Sequence, residues 1–265
     1  MKDMDAMTPK GPPSLFTKTF GTAAGVEMVW LHGWGHDHKI LEPLADLFKR
    51  KGQMVLFDLP GFGQTPMLPR GAGTDAYADL LIEELRTRNK ATRNTRRILV
   101  GHSFGCRVAI RLAAKAPELV DGLIFIAGAG IPRKRSVLFR LRSSSLKILG
   151  RTASFADRLF KTNWKQAFRN RFGSRDYRNA GALRETFVAT VTENLSEISK
   201  TVKTPVLLLY GSEDTETPVE VGEAFVLVLP NAKLMVLNGF GHLDILTKGK
   251  HQCQHYINSF LGGQS

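Results

Sequence analysis

The sequence predicts an α/β fold, a sheet domain in two sequence halves with a helical insertion between them. Strand-like apolar runs alternate with helical patterns along most of the 265 residues, which argues against an all-α or all-β fold. A hydrophobic fraction of 43% in a chain of this length is enough to bury one large core. We therefore expect one large domain with a single insertion, whose bounds follow from the order of the elements.

Four short apolar runs in the first half have the length and composition of buried strands. They cover Val26–Leu31, Met54–Phe57, Arg97–Val100 and Leu123–Ala127. Apolar residues at helical spacing lie between these runs, over Ile40–Arg50, Asp75–Arg88 and Phe104–Lys115. This alternation is typical of strand–helix–strand units, in which the strands are parallel.

The pattern changes between residues 131 and 204 and then resumes. Strand-like runs are absent from this segment, and its basic helical patterns carry an aromatic stripe of Phe155, Leu159, Phe160, Trp164, Phe168 and Phe172. Beyond the segment, strands are predicted at Pro205–Tyr210 and Leu234–Leu237, and helices at Val219–Val228 and Leu243–Leu261. We expect residues 1–130 and 205–265 to form the core domain, with residues 131–204 inserted as a basic helical cap.

The positive charge of the chain is concentrated in this basic cap. The net charge is +13, and residues 131–203 hold 17 Lys or Arg against 5 Asp or Glu, a net charge of +12. Such a surface suits nucleic acid, an anionic membrane, an acidic protein or an anionic substrate, and it can equally be a solvated face. No nucleic-acid-binding motif accompanies the charge, so no nucleic-acid partner is expected.

A cytoplasmic location is expected from the cysteine content and the N-terminal residues. Cys106 and Cys253 are far apart and form neither a disulfide framework nor a metal-binding spacing. The N-terminal residues MKDMDAMTPKGPPS lack the apolar core of a signal peptide. No apolar run approaches the roughly 20 residues needed to span a bilayer.

The candidate nucleophile is Ser103, the central residue of Gly101-His102-Ser103-Phe104-Gly105. This G-x-S-x-G motif lies between a predicted strand and a predicted helix, so the chain must turn sharply there. The two glycines leave room for neighbouring backbone, and the turn exposes the serine hydroxyl at the strand end. A serine in this position can act as a nucleophile if a base and an orienting acid lie nearby.

His242 and Asp214 are the candidates for the base and the acid. Each follows a predicted strand, as Ser103 does, and the carboxyl ends of parallel strands meet at one sheet edge. The order Ser103, Asp214, His242 matches the Ser…Asp/Glu…His order of this hydrolase architecture. Asp214 could instead cap the helix that follows it, in which case Glu213 or Glu216 could supply the acid.

Two backbone N–H groups are candidates for an oxyanion hole. One belongs to Phe104, directly after the nucleophile, and the other to Trp34 in the loop His32-Gly33-Trp34-Gly35. We also expect Trp34, His102 and Phe104 to contact the substrate. No metal is expected, because the spacing of His32, His36 and His38 matches no metal motif.

Together these motifs resemble those of the α/β-hydrolase superfamily. HGWG, DLPGFGQT, GHSFG, GSEDTETP and GFGHLD occur in that family's order and spacing over almost the whole chain. The resemblance implies a mostly parallel sheet of about eight strands flanked by helices, with a cap inserted after the sixth strand. It also implies a two-step acyl-enzyme mechanism and no cofactor. Two departures are Cys106, where many relatives have a glycine, and the short N-terminal strand region, which predicts fewer than eight strands.

The reaction expected from the resemblance is hydrolysis of a carboxylic ester of a small molecule. Thioester hydrolysis, C–C bond hydrolysis and acyl transfer use the same triad and stay open, as does a non-catalytic binding protein of this fold. HGWG and DLPGFG are also similar to the motifs of carrier-protein methyl ester esterases. The basic cap could therefore dock an acidic carrier protein, or it could rest on an anionic membrane through Phe139, Leu141, Leu146 and Leu149.

Overall fold

The computed structural model describes residues 13–23, 25–89, 95–132 and 175–263, and these contain one seven-stranded sheet. The strand order is β1-β3-β2-β4-β5-β6-β7. β1 pairs antiparallel with β3, and every other pairing is parallel. The strands are β1 (Thr17–Gly21), β2 (Val26–Leu31), β3 (Gly52–Phe57), β4 (Arg96–His102), β5 (Gly122–Ile126), β6 (Val206–Gly211) and β7 (Ala232–Leu237).

The inner strands are nearly continuous apolar runs because helices cover both faces of the sheet. β5 and β6 are buried at every residue, and β2 and β4 at all but the first. The register pairs Leu31 with Gly101 and His102 with Ile126. These pairings bring the carboxyl ends of β2, β4 and β5 to one edge, where Ser103 follows β4.

Helices form a layer on each face. One core cluster packs the helices Thr74–Asn89, Phe104–Lys115 and Val219–Val228 against the sheet, and the other contains the segment around Leu41–Phe48 and the last helix. The remaining described α-helices are Glu42–Ala45, Arg175–Asn179, Arg184–Thr192, Ser196–Ser199, Asp244–Thr247 and Lys250–Gly262. No described helix is both long and apolar enough to cross a membrane.

Two predicted helices are divided in the structure. The segment Ile40–Arg50 consists of the 3₁₀ turns His38–Ile40 and Asp46–Phe48 around the α-helix Glu42–Ala45, which has Pro43 in its first turn. The predicted helix Leu243–Leu261 is divided at Gly249, whose N–H bonds back to the Asp244 carbonyl at 2.9 Å. A Cβ on Gly249 would lie 2.9 Å from the carbonyl oxygen of Ile245, so this turn requires a glycine.

In the described residues the sheet has seven strands, where the family resemblance implies about eight and the short N-terminal region predicts fewer. The insertion lies between β5 and β6, counted along this chain. β1 was missed by the sequence pattern, because this edge strand is only partly buried and carries polar residues.

Only residues 131–132 and 175–204 of the predicted cap are described. Its aromatic stripe and its proposed lipid-facing residues, Phe139 to Leu149, lie outside the described residues. The described end is joined to the core at Glu193, which follows the helix Arg184–Thr192. Its carboxylate accepts a hydrogen bond of 2.9 Å from the backbone N–H of Thr74, and Arg107 Nη1 donates to its carbonyl at 3.1 Å. The end of this segment is thus attached to the helix that carries Ser103.

Candidate active site

The Ser103 turn has the strained backbone that the motif predicts. Ser103 has φ 49° and ψ −106°, a region that residues with a side chain rarely occupy. A Cβ on Gly105 would lie 2.1 Å from the carbonyl oxygen of Leu31, and one on Gly101 would lie 2.7 Å from the backbone nitrogen of Cys106. Both neighbours are backbone atoms, so the turn needs glycine at each position.

Cys106 packs in the core without disturbing this turn. Its side chain is fully buried, and its backbone N–H donates to the carbonyl of Ser103 at 3.2 Å. Burial raises the pKa of the Cys106 thiol far above its usual range, so the thiol stays protonated. A side chain in place of the glycine of many relatives is therefore accommodated.

Asp214 and His242 meet across two loops at the same sheet edge. His242 Nδ1 lies 2.7 Å from Asp214 Oδ2, and the backbone N–H groups of Glu216 and Thr217 donate to Asp214 Oδ1 at 2.8 and 2.9 Å. Burial alone would raise the pKa of Asp214, but the hydrogen bonds from His242 and Thr217 outweigh it and lower that pKa. The carboxylate is therefore ionised and holds the Nδ1 proton of His242, which leaves Nε2 unprotonated in the neutral ring.

Neither of the other two acidic residues of the loop contacts His242 Nδ1. Glu213 is exposed. Glu216 Oε2 lies 3.6 Å from His242 Nε2, on the opposite side of the ring, and its side chain is 65% exposed. The geometry thus favours Asp214 over both alternatives as the orienting acid.

Thr217 is part of this arrangement and was missed by the sequence analysis. Its hydroxyl lies 2.8 Å from Asp214 Oδ2, 2.9 Å from the carbonyl oxygen of Ala127 and 3.2 Å from His242 Nδ1. It links the acid to Ala127, a buried residue at φ 50° beside the Ser103 turn. A threonine three residues after an aspartate in a turn was a usable signal, because such side chains bond to nearby backbone.

His102 lies beneath the site, which corrects its expected role as a substrate contact. Its side chain is fully buried and donates from Nε2 to the backbone carbonyl of His242 at 3.1 Å. The two imidazole rings are 4.8 Å apart. The residue before the nucleophile therefore positions the backbone of the candidate base.

Within the described part of the chain, Ser103 Oγ makes no hydrogen bond to His242. Such contacts are often long before substrate binds. His102 is adjacent to Ser103 and bonded to the carbonyl of His242, so it contributes to the relative placement of these two residues.

The His32-to-Gly35 loop lies beside Ser103. A Cβ on Gly33 would be 3.4 Å from Ser103 Cβ and 2.7 Å from His102 Nδ1, so a side chain at residue 33 would collide with the site. His32 Nδ1 donates to the carbonyl of Gly33 at 2.7 Å, while its Nε2 accepts from the N–H of Leu59 at 2.9 Å. These bonds join two loops at the edge of the site, and Trp34 follows Gly33 in the loop beside Ser103.

His38, which lies in the same region, has Asp58 as its partner. His38 donates to Asp58 Oδ1 from both its backbone nitrogen and Nδ1, at 2.8 and 2.7 Å. The other oxygen of Asp58 accepts from the N–H of Gln64 at 2.9 Å. Asp37, His38 and Asp58 do bring possible ligand atoms within 4.8 Å of one another, but both Asp58 oxygens already accept hydrogen bonds.

Stability is expected to fall in mild acid because His32 and His102 are buried. Burial lowers the pKa of His32 from 6.5 to about 4 and that of His102 to about 3. Between these values and pH 6.5 the unfolded chain binds a proton that the folded chain does not. As the pH decreases through this range, the free energy of unfolding should therefore decrease by up to about 1.4 kcal/mol per pH unit for each histidine.

Urea unfolding at a series of pH values from about 7 to about 5 measures this slope. His102→Gln keeps a donor near the carbonyl of His242 but cannot titrate, so its slope should be shallower. The exposed His255 provides a matched control, and His255→Gln should keep the wild-type slope. An unchanged slope in His102→Gln would contradict the lowered pKa of His102 in the folded protein.

The sheet and the strand–serine–helix turn define the architecture of an α/β hydrolase. The sequence model of the alpha/beta hydrolase family matches residues 28–251, and the chain belongs to that family. It is similar to the pimeloyl-(acyl-carrier protein) methyl ester esterase of Legionella pneumophila (strain Paris), with 27% identity over 231 residues that cover 84% of this chain and 90% of that protein.

Two further comparisons agree with this family. Human protein ABHD8 is 27% identical over 257 residues, which are 92% of this chain but 56% of ABHD8. The structure of a thermophilic esterase from Thermogutta terrifontis superposes with a TM-score of 0.69 at 19% identity, covering 97% of this chain and 96% of that one. At this identity the superposition shows a shared fold.

Proposed function

We propose that this protein is a serine esterase that cleaves a small or medium carboxylic ester through Ser103, His242 and Asp214. The observation that carries the proposal is the 2.7 Å contact between His242 Nδ1 and the buried, ionised Asp214, at the sheet edge where the strained Ser103 turn emerges. This contact leaves His242 Nε2 as the proton acceptor for a serine hydroxyl.

In the proposed reaction, Ser103 Oγ attacks the ester carbonyl while His242 Nε2 takes the hydroxyl proton. His242 then returns that proton to the leaving alkoxide, which departs as the alcohol and leaves an acyl-enzyme. Water then attacks the acyl-enzyme while His242 Nε2 takes its proton. The same nitrogen returns that proton to Ser103 Oγ as the acyl–oxygen bond breaks and the acid leaves. The N–H groups of Trp34 and Phe104 would stabilise the oxyanion, and loss of one such donor typically costs about 2.7–4 kcal/mol in the barrier.

A panel of p-nitrophenyl esters of increasing acyl length, assayed beside acyl thioesters, tests the proposed reaction. Hydrolysis of esters in preference to thioesters of the same acyl group supports it. Preference for thioesters would instead favour thioester hydrolysis. If neither class is turned over and a fluorophosphonate probe does not label Ser103, the enzymatic proposal fails.

We further propose an acidic carrier protein as a partner, on the basis of the +12 net charge of residues 131–203. The methyl ester esterase of Legionella pneumophila is named for a carrier-bound substrate, and long-range attraction speeds encounter between opposite charges. Turnover of a carrier-bound ester should slow with salt and with charge reversal at Arg133, Lys134 and Arg135, which lie outside the described residues. Insensitivity to both would rule out this docking.

A further inference from the structure

Four aromatic rings converge beside Ser103. The Trp34 ring lies edge to face with Phe62, Phe104 and Phe187, at centroid distances of 4.9, 5.3 and 4.9 Å. Three of these residues come from core loops and from the helix after Ser103, whereas Phe187 comes from the helix Arg184–Thr192 of the inserted segment. Phe62, Phe104 and Phe187 are at most 8% exposed, so they fill the space around Trp34.

In the proposed esterase reaction, the orientation of the ester would place its acyl part on the side of these rings. If the carbonyl oxygen points to the N–H groups of Trp34 and Phe104, two substituents remain on the reacting carbon. The alkoxy group must face His242, which protonates it as it leaves. The acyl chain then points away from His242, towards the side chains of Trp34 and Phe104 and the rings that surround them.

Residues before and after Phe187 in the chain attach its helix to the core domain. Leu183, just before its helix, packs on the core loop so closely that a Cβ on Gly61 would lie 2.6 Å from Leu183 Cδ2. At the other end, Glu193 is bonded to Thr74 and Arg107. These contacts hold the helix of Phe187 in the position in which its ring packs against Trp34.

We infer that Phe187 closes the acyl side of the site and limits this enzyme to esters of short acyl chains. The inference rests on the proposed esterase function alone. It is an alternative to the proposed carrier protein where that carrier is joined to the acyl side of the ester, because such a chain would also have to pass Phe187. Its physical basis is that a longer chain would have to occupy the volume of the Phe187 ring, because the other three rings come from loops and a helix of the core domain. One extra or missing methylene group in a hydrophobic pocket changes kcat/KM by about tenfold or more.

The test compares p-nitrophenyl acetate, butyrate, hexanoate and octanoate in the full-length wild type and in Phe187→Ala. The wild type is expected to lose at least about tenfold in kcat/KM between butyrate and octanoate. Phe187→Ala should raise the ratio of octanoate to butyrate by about tenfold. Val188→Ala, on the next residue of the same helix and 42% exposed, should keep the wild-type ratio.

An unchanged ratio in folded Phe187→Ala would overturn the inference while leaving the proposed function intact. If circular dichroism shows that Phe187→Ala does not fold, Phe187→Leu replaces it, and its ratio of hexanoate to butyrate should rise by at least about threefold. No rise in that ratio would likewise overturn the inference. Absence of any Ser103-dependent ester hydrolysis by the wild type would overturn the proposed function and this inference with it.

Discussion

Ser103→Ala is expected to lower the esterase kcat by about 10⁶-fold while the protein stays folded. The substitution removes only the hydroxyl group. Alanine is smaller than serine, so it fits beside Gly33 without a steric clash. The barrier would rise because no covalent acyl-enzyme could form. Activity is measured with a short p-nitrophenyl ester, and labelling with a fluorophosphonate probe should disappear at the same time.

Ser259→Ala is a suitable control for the loss of a serine hydroxyl. Ser259 is an exposed residue of the last helix and donates to the carbonyl of His255 at 3.2 Å. Its activity and labelling should equal those of the wild type. If Ser103→Ala keeps more than about one part in a thousand of the activity, Ser103 is not the nucleophile.

Asp214→Asn is expected to lower kcat by about 10⁴-fold. An amide in this place can donate a hydrogen bond to His242 Nδ1, which favours the tautomer with its proton on Nε2. That tautomer cannot accept the proton of Ser103. The volume hardly changes, and the backbone N–H groups of Glu216 and Thr217 can still bond to the remaining oxygen. The thermal unfolding midpoint should therefore fall far less than activity.

Glu216→Gln is the matched comparison, because Glu216 is the other carboxylate beside His242. Its side chain is mostly exposed and contacts the opposite ring nitrogen, so we expect less than about a tenfold effect on kcat. The reverse result, a large loss in Glu216→Gln and a small loss in Asp214→Asn, would assign the acid to Glu216. Measuring both variants at one pH, with one substrate, separates the two assignments.

The sequence predicted the core sheet well because its signals are local and strong. Buried parallel strands need continuous apolar runs, and six of the seven strands overlap a predicted one. The helices Phe104–Lys115 and Val219–Val228 were predicted with the bounds that the structure has. β1 was missed because an edge strand needs neither a long apolar run nor full burial, so its polar residues resemble a loop.

The positions of the three candidate residues could be predicted because each of them follows a strand that the sequence predicts. Ser103, Asp214 and His242 each follow a strand, and strand order alone places them at one sheet edge. The choice between Asp214 and Glu216 depended on which carboxylate reaches Nδ1, and this distance is set by how the loop folds around Thr217. His102 was assigned to the substrate because a motif does not show which way a side chain points.

The sequence by itself determined the family, the fold class and the order of the three candidate residues, because apolar periodicity and short glycine motifs act within a few residues of one another. Tertiary structure decided which side chains meet. The bond from His102 to the carbonyl of His242 joins residues 140 apart, and Phe187 reaches Trp34 across more than half of the chain. Such contacts depend on the packing of whole elements, which no local pattern encodes.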